Sequence, residues 1–140
     1  MKIKYLALDD VIAIHDNMVS FYGGSHGIRD LGLVDSAVSR PQATFGGQDL
    51  YPDVFLKGAA LFHSLIFNHA FVDGNKRTSM TSTARFLNMN GYNLDATDME
   101  FVSFPLKVEN EHLSFEGIAK WFKNHSRKAG KSTSGRRRIG

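Results

Sequence analysis

The chain has 140 residues, 42% of them hydrophobic, which suffices for one domain burying roughly 68 to 70% of the surface its unfolded form exposes. It holds no cysteine and no run of about 18 uncharged apolar residues, so a disulfide framework, thiol catalysis, a zinc ribbon and a membrane-spanning helix are excluded. The net charge of +3 averages two unlike parts: Arg127, Lys128, Lys131, Arg136, Arg137 and Arg138 follow Ser126 without a single acid, leaving eleven basic against fourteen acidic residues before them, a balance of −3.

The basic pI therefore belongs to the tail, and the rest of the chain has no global signature of nucleic-acid binding. The start, Met1 to Asp10, has too short an apolar run for a secretory leader, and a soluble cytoplasmic protein is expected. Residues 9 to 22 place Val11, Ile14, Met18 and Phe21 at helical spacing, with Asp9 or Asp10 as cap and Gly23-Gly24 as stop. His15 reads as a histidine at that helix's surface or boundary. Residues 23 to 29, Gly-Gly-Ser-His-Gly-Ile-Arg, form a flexible connection in which His26 and Arg29 read as solvated. Asp30 caps a second short helix through Ser39, with Leu31, Val34 and Val38 as its buried stripe and Arg40-Pro41 as its end. Gln42 to Leu50 is either a small hairpin flap, whose free edge can add a strand to a peptide, or a plain connection with Phe45 tucked into the core.

Pro52 begins the next helix, and Val54 to Asn68 is apolar on nearly every side, with Lys57 as its only charge. This is the expected central buried helix, and His63 within it reads as a packed, hydrogen-bonded core histidine. Asn75 to Asn90 is helical, with Met80, Ala84 and Leu87 as one face and Gly91 closing it. Thr97 or Asp98 opens a fifth helix toward Pro105, and Ser114 caps a last one carrying Phe115, Ile118, Ala119 and Phe122. No extended alternation marks a strand. The expectation is an all-α domain of about six helices over residues 1–125, followed by a basic, disordered tail over 126–140.

The chemistry is concentrated in His69-Ala70-Phe71-Val72-Asp73-Gly74-Asn75-Lys76-Arg77, a loop that ends on a helix N-terminus. The first amides of a helix lack intrahelical partners and the macrodipole adds positive charge, so such a place holds anions. Gly74 suits a turn with positive φ. An imidazole at His69 can take a proton from a hydroxyl near neutral pH. Asp73 offers a hard oxygen to magnesium, which commonly takes one or two protein carboxylates and fills its shell with water and phosphate oxygens. Arg77 can fork onto phosphate, and Lys76 supplies a point charge. The set suits phosphoryl or nucleotidyl transfer from a magnesium-bound nucleoside triphosphate to a protein hydroxyl. A hydrolytic metal site is disfavoured, because no second histidine stands in a ligand spacing such as His-Glu-x-x-His.

The stretch from His69 to Thr78 resembles the signature of the Fic/Doc superfamily, and specifically of its Doc (death on curing) toxin branch. The likeness covers most of residues 8 to 125, through the Gly23-Gly24 break, Ile28 to Leu33, Arg40-Pro41-Gln42 and His63-Ser64-Leu65. It implies a compact Fic-like bundle with His69 as the catalytic base and Asp73 as the magnesium ligand. By the same likeness Gly74, Asn75, Lys76 and Arg77 form the nucleotide-phosphate cradle, and Phe71 packs inward to hold the loop. The general Fic pattern has proline at the position of Ala70, glycine at that of Lys76 and a second arginine at that of Met80. A glycine lets a phosphate approach the backbone, whereas a lysine fills that space with its stem and charge. For the Doc branch the implied result is an inverted nucleotide whose γ-phosphate faces the acceptor, hence an ATP- and Mg2+-dependent protein kinase instead of an AMP-transferase. The resemblance further implies a toxin-antitoxin system, with an antitoxin inhibiting in trans and elongation factor Tu as the target whose modification blocks translation. An internal inhibitory helix is not expected, since Glu116-Gly117 has His112 where such an element has a hydroxyl residue. Alternative readings are a Fic-type protein AMP-transferase, a Fic-fold protein that has lost turnover and only binds a partner, and a nucleic-acid-binding or scaffolding protein acting through Arg127 to Arg138.

Overall fold

The computed structural model describes residues 2–129. Helix α1 (Leu8–Tyr22) is followed by α2 (Leu31–Ser39), a short 3-10 turn at Arg40–Gln42, and a hairpin of β1 (Thr44–Phe45) and β2 (Gln48–Asp49). Then come α3 (Val54–Asn68), α4 (Asn75–Met89), β3 (Tyr92–Leu94), α5 (Asp98–Glu111), α6 (Phe115–Asn124) and β4 (Ser126–Lys128). Six helices make the mostly-α bundle expected from the periodicity, and the strands form only two small antiparallel pairs, β1 with β2 and β3 with β4.

Helix α3 is the axis of the bundle, packed by α4, α6, α2 and α5. Its start is fixed by Asp53, whose carboxylate accepts from the Phe55 and Leu56 amides, so Pro52 precedes the cap instead of opening the helix. Phe62, Leu65 and Ile66 are almost fully buried, each contributing about 1.5–3 kcal/mol of burial free energy. Helix α4 meets α3 through a face that is smaller and more hydroxylated than the expected row of Met80, Ala84 and Leu87. Thr78, Ser79, Ser82 and Thr83 are buried beside Met80, Phe86 and Leu87, and Gly58 of α3 sits over Thr83 and Leu87. Small side chains on both helices let the axes approach, which fixes the loop between them.

Two expected stripes are rotated. Helix α1 buries Val11, His15 and Val19, while Phe21 is 78% exposed. Helix α2 buries Val34, Ala37 and Val38 and leaves Leu31 exposed, with Asp30 capping through the Leu33 amide as expected. The segment 42 to 50 is the hairpin, and Phe45 stands in solvent on it. Thr97 caps α5, which runs through Pro105 to Glu111, and Ser114 caps α6 through the Gly117 amide. Among the described residues no helix is long and apolar enough to cross a membrane.

The boundary expected at residue 125 moves. Ser126–Lys128 pair with Tyr92–Leu94, and the Ala129 amide donates to the Gly91 carbonyl, so the chain after α6 is folded back as a strand. Residues 130–140 of the expected tail lie outside the described residues.

Candidate active site

The loop between α3 and α4 begins in a strained conformation. His69 ends α3 with φ 50° and ψ 50°, left-handed values that cost a residue with a Cβ about 1–2 kcal/mol. The segment 27–30 holds it there. Arg29 donates from Nε to the His69 carbonyl (2.7 Å) and from Nη2 to the Asn68 carbonyl (3.0 Å), while the Arg29 and Asp30 amides both donate to the Ala70 carbonyl. Ile28 bridges Phe71, and the Val72 amide donates to the Gly27 carbonyl. Arg29, expected to be solvated, is a main anchor of the loop.

Phe71 packs inward and is buried, as expected, with its ring stacked on His15 at 3.8 Å between centroids. His15 is buried, not a boundary residue, and its Nε2 donates to the Asp73 carbonyl at 2.7 Å. A carbonyl can only accept, so Nε2 carries the hydrogen. Asn75 closes the turn from the other side, accepting at Oδ1 from the Phe71 amide (3.0 Å) and donating from Nδ2 to the Phe71 carbonyl (2.9 Å). Its side chain, expected on phosphate, is thus spent on the loop, and what Asn75 can offer an anion is its backbone amide at the start of α4.

Gly74 takes φ 76°, the positive value expected of it and one that side-chain-bearing residues rarely adopt. Asp73 is exposed at the cleft. Its Oδ1 accepts from the Gly74 amide (2.9 Å) and its Oδ2 from the Ser25 amide (3.2 Å). Gly24 explains that approach, because a Cβ on it would stand 2.8 Å from Asp73 Oδ2. Each carboxylate oxygen keeps a lone pair beyond its amide bond, and among the described residues no group of three or more His, Cys, Asp or Glu side chains could hold a metal. That donor set suits magnesium held by one carboxylate and otherwise by water and substrate phosphate, and does not suit an all-protein cage.

These residues line a cleft of about 310 Å³ whose opposite wall is one face of α5: Phe101, Val102, Pro105, Leu106 and Glu109. Glu109 went unnoticed in the sequence. Its Oε1 lies 3.0 Å from Lys76 Nζ and its Oε2 3.3 Å from His69 Nε2. The Lys76 hydrogen bond, with the charges of Lys76 and His69, holds the Glu109 carboxyl below its ordinary value against desolvation, which acts the other way. Arg77 stands at the edge of the cleft: its guanidinium is 4.2 Å from the centre of the Tyr22 ring, at the rim shared with a second groove lined by Met18, Thr81 and Phe101. The structure therefore brings His69, Asp73, Gly74, Asn75, Lys76 and Arg77 to one cleft, with His69 and Lys76 sharing a single carboxylate.

A mostly-α scaffold thus carries an imidazole, a carboxylate and a lysine along one cleft beside the N-terminus of α4. The chain belongs to the Fic/DOC family, whose model matches residues 5–87, more than half its length. Over 93 residues, 66% of this chain and 69% of the relative, it is 48% identical to Toxin Doc of Mycolicibacterium smegmatis. Over 88 residues, 63% of this chain and 69% of the relative, it is 33% identical to Protein kinase doc of Escherichia phage P1.

Proposed function

We propose that the protein is a Doc-type toxin kinase that transfers the γ-phosphate of ATP to a serine or threonine hydroxyl of a target protein. The observation that carries this reading is the reach of one small anion: the Glu109 carboxylate touches Lys76 Nζ at 3.0 Å and His69 Nε2 at 3.3 Å. A phosphoryl oxygen and an acceptor hydroxyl, set side by side in place of that carboxylate, would meet the same two groups.

In this reading His69 Nε2 takes the acceptor proton as the hydroxyl oxygen attacks the γ-phosphorus, the bond from that phosphorus to the β-phosphate oxygen breaks, and ADP leaves. Lys76 and the first amides of α4 hold the phosphate oxygens, and Arg77, released from Tyr22, adds a second cation. Asp73 would hold Mg2+, which when bound neutralises phosphate charge. Lys76 favours γ-transfer over AMP transfer, since its stem fills the space a phosphate nearer the base would need. A reaction that uses ATP as donor fits a cytoplasmic protein. The relatives named Toxin Doc and Protein kinase doc support a toxin with kinase activity. By the family resemblance an antitoxin would inhibit it in trans, and elongation factor Tu is the acceptor to try first.

The test is transfer from ATP labelled separately at the α and γ positions to purified elongation factor Tu. Label moving only from the γ position supports the kinase, and label moving from the α position contradicts it.

A further inference from the structure

Asp73 stands between two main-chain amides that come from different parts of the chain. Gly74 supplies one from its own loop, to Oδ1 at 2.9 Å, and Ser25 supplies the other from the turn after α1, to Oδ2 at 3.2 Å. That turn is fixed at both ends. The Gly23 amide donates to the Val19 carbonyl and closes α1, and the Gly27 carbonyl accepts from the Val72 amide, next to Asp73. Between those ends His26 meets Asp16 of α1 at 2.8 Å. The Ser25 amide is therefore held in place by bonds on either side of it.

The two glycines that open the turn are not equivalent. Both take positive φ, 92° at Gly23 and 112° at Gly24. A Cβ on Gly23 would meet nothing within 4 Å, whereas the three nearest neighbours of a Cβ on Gly24 would all be Asp73 atoms, with Oδ2 at 2.8 Å and Cγ at 3.2 Å. A turn that only reversed the chain would need the positive φ and not the gap.

We propose that the Gly24-Ser25 turn is a positioning element for Asp73: the gap at Gly24 admits the carboxylate and the Ser25 amide holds it, so that it presents its remaining lone pairs to the cleft in one orientation before any ion arrives. This rests on the reading of Asp73 as the carboxylate that would hold Mg2+. A free carboxylate turns among rotamers and loses that freedom on binding, whereas one held by two amides has lost it already on folding. Hydrogen bonds of this kind to a ligating group typically change ion affinity by tenfold or more. The effect is strongest for Mg2+, which demands near-ideal octahedral geometry. The exposed pair of His26 and Asp16 steadies the turn from outside and contributes less.

The experiment uses the full chain and the β,γ-imido analogue of ATP, titrated calorimetrically with Mg2+ and with excess EDTA into wild type, Gly24→Ala, Gly23→Ala, Asp73→Ala and the variant carrying both Gly24→Ala and Asp73→Ala. The ratio of the two affinities isolates what the ion contributes. Gly24→Ala is expected to reduce that ratio roughly tenfold and to leave the affinity in EDTA unchanged, because the added methyl turns the carboxylate aside. Gly23→Ala brings positive-φ strain without the contact and keeps the wild-type ratio, and Gly24→Ala has no further effect once Asp73 is gone. In turnover with ATP, Gly24→Ala raises the Mg2+ concentration needed for half-maximal rate and keeps most of kcat at saturating Mg2+. A wild-type ratio in Gly24→Ala, an equal loss in Gly23→Ala, or an effect that persists without Asp73 overturns the proposal. Should Gly24→Ala not fold, His26→Ala loosens the turn without crowding it and is expected to lower the ratio about twofold, and an unchanged ratio there overturns the proposal as well. If Asp73→Ala itself keeps the wild-type ratio, the ion is held elsewhere, and the reading of Asp73 falls together with this inference. If Asp73→Ala loses the ratio and Gly24→Ala does not, this inference alone falls.

Discussion

Arg29 grips the end of α3 by both arms of its guanidinium, with Nε on the His69 carbonyl at 2.7 Å and Nη2 on the Asn68 carbonyl at 3.0 Å. The residue it steadies is left-handed, so the bonds offset backbone strain at the position that carries the proposed base. Arg29→Lys keeps the charge and loses the planar fork. The expected result is a stability loss of about 1 kcal/mol in urea unfolding, because the side chain is exposed, together with a fall in phosphate transfer of tenfold or more as the imidazole loses its aim. A variant with wild-type turnover would show that His69 needs no such anchor.

His15 acts on the same loop from beneath, through its stack on Phe71 and its bond to the Asp73 carbonyl. His15→Phe retains the stack and leaves a part-buried carbonyl without its donor. We expect a loss of about 1–2 kcal/mol by thermal or urea unfolding and weaker Mg2+-dependent nucleotide binding, as the turn bearing Asp73 loosens. His15→Gln, which can still donate, should recover part of both.

The contrast between what was and was not legible in the sequence follows from where the information lies. Helix α3 announced itself by an unbroken apolar run, and the anion-site loop by residue types whose chemistry is local. The α1 stripe was misplaced by one row because a histidine on the buried face, His15, does not count as apolar, while Phe21 does and is exposed. Arg29 and Glu109 gain their roles from partners 40 and 33 positions away, Arg29 on His69 and Glu109 on Lys76, and no periodicity records such pairings. The strand Ser126–Lys128 looked like tail because its composition is polar and basic. Its partner Tyr92–Leu94 dictates its register, with Asp95 pairing the exposed Arg127. Asn75, expected on phosphate, lines the cleft, but its side chain braces Phe71.

Lys57 is an almost fully buried cation on α3, paired to Asp49 of the hairpin at 3.0 Å and close to the Pro41 carbonyl. Removing one partner of such a pair costs more than removing the buried charge itself. Asp49 is half exposed, which moderates the effect, so Asp49→Ala should destabilise by about 1–2 kcal/mol while Lys57→Met costs less than that or nothing. Chemical denaturation of the two variants side by side decides it. A larger loss for Lys57→Met would mean that the ammonium contributes net stability.

His63 sits between the Phe67 and Phe115 rings, and burial first, then the charges of Arg40 and His112, lower its pKa from 6.5. The unfolded chain then binds its proton more readily than the folded one, so stability is complete above pH 6.5 and is lost as the pH falls through the lowered folded value. His63→Phe should flatten that part of the stability profile. Urea midpoints measured from about pH 7 down to about pH 5 would reveal it, and an unchanged slope would assign the acid sensitivity to other groups.

The central claim is that His69 and Lys76 act together on a terminal phosphate and a protein hydroxyl. The most direct measurement is the intact mass of purified elongation factor Tu after incubation with ATP, Mg2+ and either wild-type protein or His69→Ala. The account predicts the mass of one added phosphate with wild type and none with His69→Ala, whose fold is retained by circular dichroism. An added AMP, or a phosphate still transferred at the wild-type rate by His69→Ala, would contradict it.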